Sequence, residues 1–222
     1  MLGFSFIKTK PTDYVILYKN GKPRRQGAAM SFFFYAPTSS LVIIPAGSRD
    51  SSFIFNETTA DFQTISIQGQ FTFRVTDPIK LATLLDFSVD PDGRYTGDGM
   101  AKLPVRLTNA VQITLREKLK DLNLRQALTS AAMLVDFVSS RLKDNVSISD
   151  LGLEILDFTI LQITPTPDMA RALEASARET LLKEADEAVY ERRNFAVDQE
   201  RRIKENELQT EIAIEEKNRI IR

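Results

Sequence analysis

Between Gln63 and Thr76 every second residue is apolar or glycine. Ile65, Ile67, Gly69, Phe71, Phe73 and Val75 alternate with Ser66, Gln68, Gln70, Thr72 and Arg74. A period of two predicts a strand with one buried and one wet face, and Gly69 at its centre predicts a bulge or sharp bend. Shorter β-rich runs precede it. Tyr14–Tyr18 ends at the turn signal Asn20-Gly21; Ser31–Tyr35 and Leu41–Ile44 bracket a Pro-Thr-Ser-Ser turn; Phe53–Phe55 follows Ala46-Gly47-Ser48. Leu153 to Ile163 alternates again, and a slip in phase after Leu156 predicts a second bulge.

Elsewhere the pattern turns helical. Asp77-Pro78 closes the long strand and opens a helix from Ile79 to Phe87, followed by a Gly- and Asp-rich loop, Asp90 to Gly99. Pro104 fits the first turn of a helix carrying Val105, Leu107, Val111, Leu115 and Leu119. Another helix is expected from about Arg125 to Lys143, with Leu128, Ala131, Ala132, Val135, Val138 and Leu142 on its inner side. After Pro167 there is neither Gly nor Pro, and charged residues rise to nearly half of positions. Thr166 as N-cap and Pro167 at the first position start one helix to Arg222, roughly 80 Å long at the usual rise. Glu174 with Arg178, Glu179 with Lys183, Glu200 with Lys204 and Glu215 with Arg219 are four apart and support it, whereas Glu187 with Glu191 and Glu207 with Glu211 are like-charged. Ala170, Leu181, Ile203 and Ile214 recur at eleven-residue spacing, interrupted by Arg192, and Ala177, Ala188 and Ile221 form a second row. That period favours a straight or right-handed assembly, and a helix so polar and long needs neighbours. Its last residues carry no stop signal, which predicts continuation in the natural protein. The expected organisation is an α/β (α+β) head in two subdomains, residues 1–86 and 87–165, then a coiled-coil helix over 166–222.

Composition changes the picture by exclusion. With no Cys and no His among 222 residues, no thiolate or imidazole zinc site and no Ser-His-Asp or Cys-His catalysis can be built from this chain. A net charge of −1 gives no reason to expect nucleic acid. The longest apolar stretch, Met30 to Pro45, is interrupted by Pro37-Thr38-Ser39-Ser40 and cannot span a bilayer as a helix. Asp90-Pro91-Asp92-Gly93-Arg94 lacks the acidic ligands of a calcium loop, and Asp150, Glu154 and Asp157 lack a positioning partner, a regular strand placing the last two on opposite faces. No catalytic residue, cofactor or metal is expected.

One cluster does invite a binding role. Phe32, Phe33, Phe34 and Tyr35 lie close in sequence to the basic residues Lys19, Lys22, Arg24 and Arg25, and Met1, Leu2, Phe4, Phe6 and Ile7 can join them. Four consecutive aromatics cannot all face the core of a one-sided sheet. The surplus is available to lipid, with basic side chains meeting anionic headgroups, or to a neighbouring subunit. The plainer alternative is a core strand beside a solvated basic hairpin.

Three blocks resemble the SPFH (Band 7, stomatin/prohibitin/flotillin-like) superfamily. They are Thr59-Ala60-Asp61-Phe62-Gln63 running on to Gln68–Pro78, then Gly152–Pro165, and then the charged Glu200–Ala213. The resemblance implies two α/β subdomains and a coiled-coil segment assembled as a large ring or cage homo-oligomer on a membrane. Such assemblies organise microdomains or enclose membrane proteins. It further implies a non-enzymatic scaffold, peripheral at the cytoplasmic, inner face of the membrane. Two departures stand out: the residues before Tyr14 hold no apolar run of the length expected for the N-terminal membrane anchor that stomatin- and prohibitin-like members usually carry, and Phe62 stands where many relatives have Gly. The competing function is a soluble adaptor whose C-terminal helix docks a different protein.

Overall fold

The structure, a computed structural model, describes residues 3–221, with side chains described through Ile214. The chain forms two units, residues 1–166 and 167–222.

The head begins with β1 (Phe4–Lys8), β2 (Asp13–Lys19), β3 (Lys22–Ala28) and β4 (Ser31–Tyr35). A 3-10 turn over Ala36–Thr38 leads into β5 (Ser39–Pro45), β6 (Arg49–Thr58) and β7 (Thr64–Val75). Asn20 and Gly21 both have positive φ, the mirror-image turn that matches strand twist in a tight hairpin. Strands β3, β2 and β5 pair antiparallel in that order, and β8 (Ser88–Val89) adds to the β5 edge. β1 and β4 make a separate two-stranded ribbon. Ile7, Phe32 and Phe34 on its inner side share a buried cluster with Val15, Leu17, Leu41, Ile43 and Val89.

The third sheet is β6-β7-β9, with β9 spanning Leu153–Pro165. The alternating apolar residues of β7 are all buried, as the pattern predicts. Phe53 stacks on Phe55 at 4.5 Å and on Phe158 at 5.6 Å between centroids, an aromatic layer joining the two outer strands. Both expected bulges are present, and β9 carries them. Its register shifts between Ile155 and Asp157, leaving Leu156 as the extra residue, and again between Ile160 and Gln162 opposite the Gln68–Gly69 step. The pairings β7–β9 and β5–β8 both cross the expected boundary at residues 86/87.

The helices depart from expectation in three places. α1 (Pro78–Leu84) is capped by the Asp77 carboxylate, which accepts from the N–H groups of Ile79 and Lys80, but it stops before Phe87. Leu85 is extended, and Leu85 and Phe87 bury themselves as the chain straightens into β8. α2 (Gly99–Leu119) starts five residues before Pro104, because the Gly99 N–H is anchored on the Asp86 carbonyl. Pro104 therefore lies inside the helix and leaves the Met100 carbonyl without its helical partner. The expected helix from Arg125 to Lys143 is two, α3 (Leu124–Thr129) and α4 (Ala131–Lys143), broken at Ser130. Asn123 and Gln126 form a reciprocal capping box, and the Thr129 hydroxyl bonds back to the Arg125 and Gln126 carbonyls. The break rotates the buried set to Leu124, Ala127, Leu134, Val138 and Leu142, so Ala132 is exposed. A short α5 (Val146–Asp150) precedes β9.

Phe62, in the β6–β7 turn, has φ 59° and a side chain 87% exposed. A left-handed backbone costs an L-residue about 1–2 kcal/mol, and here no burial offsets it. Phe62→Gly is expected to stabilise the head by up to about 1 kcal/mol after glycine's greater unfolded-state entropy is counted. Thermal unfolding of the two proteins side by side measures it.

The second unit is α6 (Pro167–Ile221), continuous for 55 residues with Asp168 in its first turn. Among the described residues its ion pairs are Arg171–Asp168, Lys183–Glu187 and Arg201–Glu205, and the expected Glu215–Arg219 pair lies outside them. Lys183 thus reaches forward to Glu187 and not back to Glu179, which removes Glu187 from the uncompensated like charges. Such exposed pairs contribute at most about 1 kcal/mol each.

Candidate functional site: an exposed aromatic ribbon and an uncovered helix

Alternation divides the aromatic run in two. Phe32 and Phe34 point inward and are buried, so they belong to the core and not to a contact surface. Phe33 and Tyr35 point outward. The antiparallel register sets Phe6 opposite Phe33 and Phe4 opposite Tyr35, and the ring pairs meet at 4.8 and 5.3 Å between centroids. Four aromatic side chains thus form one outward patch, with exposures of 69% (Phe4), 52% (Phe6), 73% (Phe33) and 39% (Tyr35). Lys8 extends the same outward row of β1. Ile7 faces the core, and Met1 and Leu2 lie outside the described residues.

The basic residues take different places. Lys22 and Arg24 on β3 are exposed. Arg25 is exposed too, but its guanidinium lies 5.5 Å from the centroid of the buried Phe32 ring and covers that edge of the core. Among the described residues none of Lys8, Lys10, Lys19, Lys22, Arg24 and Arg25 is in an ion pair with a carboxylate. Asp13 is the only acidic residue before Arg49, so residues 1–48 carry a net +5 in a chain whose total is −1. That asymmetry was readable from the sequence and is hidden by the near-zero total.

On α6, Leu181, Ile203 and Ile214 are exposed, as are Ala177 and Ala188, while Ala170 is half-buried; the Ile221 side chain lies outside the described residues. At about 100° per residue, Leu181, Leu182, Val189, Phe195, Ile203 and Ile214 share one side of the helix. Tyr190, Val197, Leu208 and Ile212 occupy another side and are equally exposed. Eleven-residue counting from Ala170 misses this second side, although Val197 and Leu208 are themselves eleven apart.

The acidic residues of the head do not converge into a reactive group. The Leu156 bulge places Glu154 and Asp157 on the same face of β9, opposite Arg74 and Thr72, where a regular strand would have separated them. Glu154 is paired with Arg74 at 2.7 Å, and Asp157 accepts from the Thr159 hydroxyl. Asp90 spends its carboxylate on the N–H groups of Asp92 and Arg94 in its own loop. Among the described residues no acidic cluster has the arrangement of a metal site, and no helix is long and apolar enough to cross a membrane.

The chain thus joins a mixed α/β unit that carries an aromatic ribbon to one long charged helix. This chain belongs to the SPFH domain / Band 7 family, whose model matches residues 7–196. The match covers β2 to β9 and more than half of α6. No curated protein matches the chain.

Proposed function

We propose that this protein is a non-enzymatic subunit of a homo-oligomeric scaffold, peripheral at the cytoplasmic face of a membrane. The heads lie on the bilayer, and the helices stand side by side as a coiled-coil wall of a ring or cage that organises a microdomain or encloses a membrane protein. The observation that carries this reading is α6, which exposes large apolar side chains on two sides along its length. A helix with one uncovered stripe suits a dimer, whereas two stripes supply a neighbour on each side, as a closed ring requires. Membership of the SPFH family adds weight to a scaffold over a solitary adaptor.

Size-exclusion chromatography with light scattering tests it. The expected mass is many times the 25.1 kDa of one chain. Ile203→Asp with Ile212→Asp, one substitution on each stripe, is expected to reduce the assembly to monomers or small oligomers. A monomeric wild-type protein at micromolar concentration would sink the proposal.

A further inference from the structure

The ribbon patch and the net charge of residues 1–48 belong to one surface problem. Phe4, Phe6, Phe33 and Tyr35 form an exposed aromatic patch two strands wide that stands outside the buried core. The cost of leaving it in water is offset only when something covers it. The occupant is selected by what surrounds it. Residues 1–48 carry six exposed basic side chains against Asp13 alone, and among the described residues none of the six is in an ion pair. A second copy of the same segment would bring +5 against +5, so a face-to-face contact of two ribbons is disfavoured by charge.

The geometry points to direct docking of the ribbon on an anionic phospholipid surface. This inference rests on the peripheral-membrane reading above and names the partner of that contact. The four rings enter at headgroup depth, where an aromatic ring leaves water without having to reach the acyl core. Lys8, at the end of the same outward row, and Lys22 and Arg24, on the exposed hairpin, supply the Coulomb attraction to lipid phosphates. Arg25 is set apart by its place over Phe32, where it seals the core beneath the ribbon. The two contributions separate experimentally, because salt screens the second and leaves the first.

Flotation of the full chain with phosphatidylcholine vesicles, with or without 30% phosphatidylglycerol, tests this directly. Two variants keep the core intact: Phe6→Ser with Phe33→Ser, and Lys22→Glu with Arg24→Glu. Phe33 with Phe34 is not a usable pair, since Phe34 is core. The wild type is expected to bind the anionic vesicles at least about tenfold better than the neutral ones, and less well as salt rises. Each variant is expected to lose about tenfold or more on anionic vesicles while its light-scattering mass stays at the wild-type value. Equal binding to neutral vesicles overturns the inference, as does undiminished binding by the Phe6/Phe33 variant. A changed oligomer mass in that variant with flotation preserved also overturns it and assigns the ribbon to a neighbouring subunit. A wild-type monomer that still floats with the expected lipid preference supports the lipid contact and defeats only the ring.

Discussion

Gly69→Ala is expected to destabilise the head by about 3 kcal/mol or more, the upper range for forcing extra atoms into a packed core. A Cβ at this position would collide with the Thr159 carbonyl oxygen and stand 2.5 Å from Cζ of Phe53. Neither neighbour can step aside cheaply. Thr159 O is backbone, held by the pairing of β7 with β9. Phe53 is clamped in the aromatic layer between Phe55, Phe71 and Phe158. The glycine is needed because β9 shifts register beside it, which brings the β9 backbone across the inner face of β7. Denaturant unfolding followed by circular dichroism measures the loss. A cost below about 1 kcal/mol would mean that β9 slides past its bulge and that the register is not fixed there.

The same position shows what periodicity can and cannot reveal. A lone glycine in an alternating strand marks a bend or a close approach, and the phase slip after Leu156 marks a bulge, because both disturb a period of two over a dozen residues. What the pattern does not reveal is that the irregularity at Gly69 takes its extra residue from β9, at Leu161: Ile160, Leu161 and Ile163 are all apolar, so a slip among them leaves no trace. Helix limits failed for a related reason. Pro104 looks like a first-turn proline, but the true start depends on the Gly99 N–H reaching the Asp86 carbonyl, a contact that belongs to the tertiary fold. Ser130 interrupts a run of good helix formers because the capping box at Asn123 and the back-bonding Thr129 make the first segment complete in itself.

The ribbon was half legible. Four consecutive aromatics must divide between two faces, and that argument holds: Phe32 and Phe34 are in, Phe33 and Tyr35 are out. Which pair faces outward is set by β1, whose Ile7 must meet Phe32 across the ribbon for the core to close. The long helix was legible because an unbroken run of helix formers without Gly or Pro needs no tertiary information to be read. Its second apolar side escaped only because Tyr190, Val197, Leu208 and Ile212 are spaced unevenly by seven, eleven and four.

Arg116→Leu is expected to cost about 3 kcal/mol at pH 7, more than Glu57→Gln, although the two residues are partners. Glu57 on β6 is 5% exposed; its carboxylate accepts from Arg116 Nε at 2.8 Å and Nη2 at 3.0 Å and from Gln112 at 2.7 Å, a tie that fastens α2 to the sheet. The asymmetry follows from burial. Removing Glu57 releases a half-exposed guanidinium that water can solvate, whereas removing Arg116 strands a buried carboxylate with one amide donor. Burial alone pushes Glu57 up; the hydrogen bonds from Arg116 and Gln112, with the Arg116 charge, outweigh it and hold the group below its ordinary 4.5. A depressed carboxylate stabilises the fold above its unfolded value, and that contribution disappears as pH falls through the folded one. In Arg116→Leu the sign reverses: burial dominates, the carboxyl rises, and protonation relieves the cost. The stability gap between wild type and variant is therefore expected to be widest near pH 7 and to narrow steadily towards pH 4. Urea titrations at several pH values measure it, and a gap that stays constant with pH would mean that the loss comes from Arg116's packing and not from its charge. Replacing both residues with methionine tests the other half of the argument. The stranded charge is then gone, and most of the lost stability is expected to return.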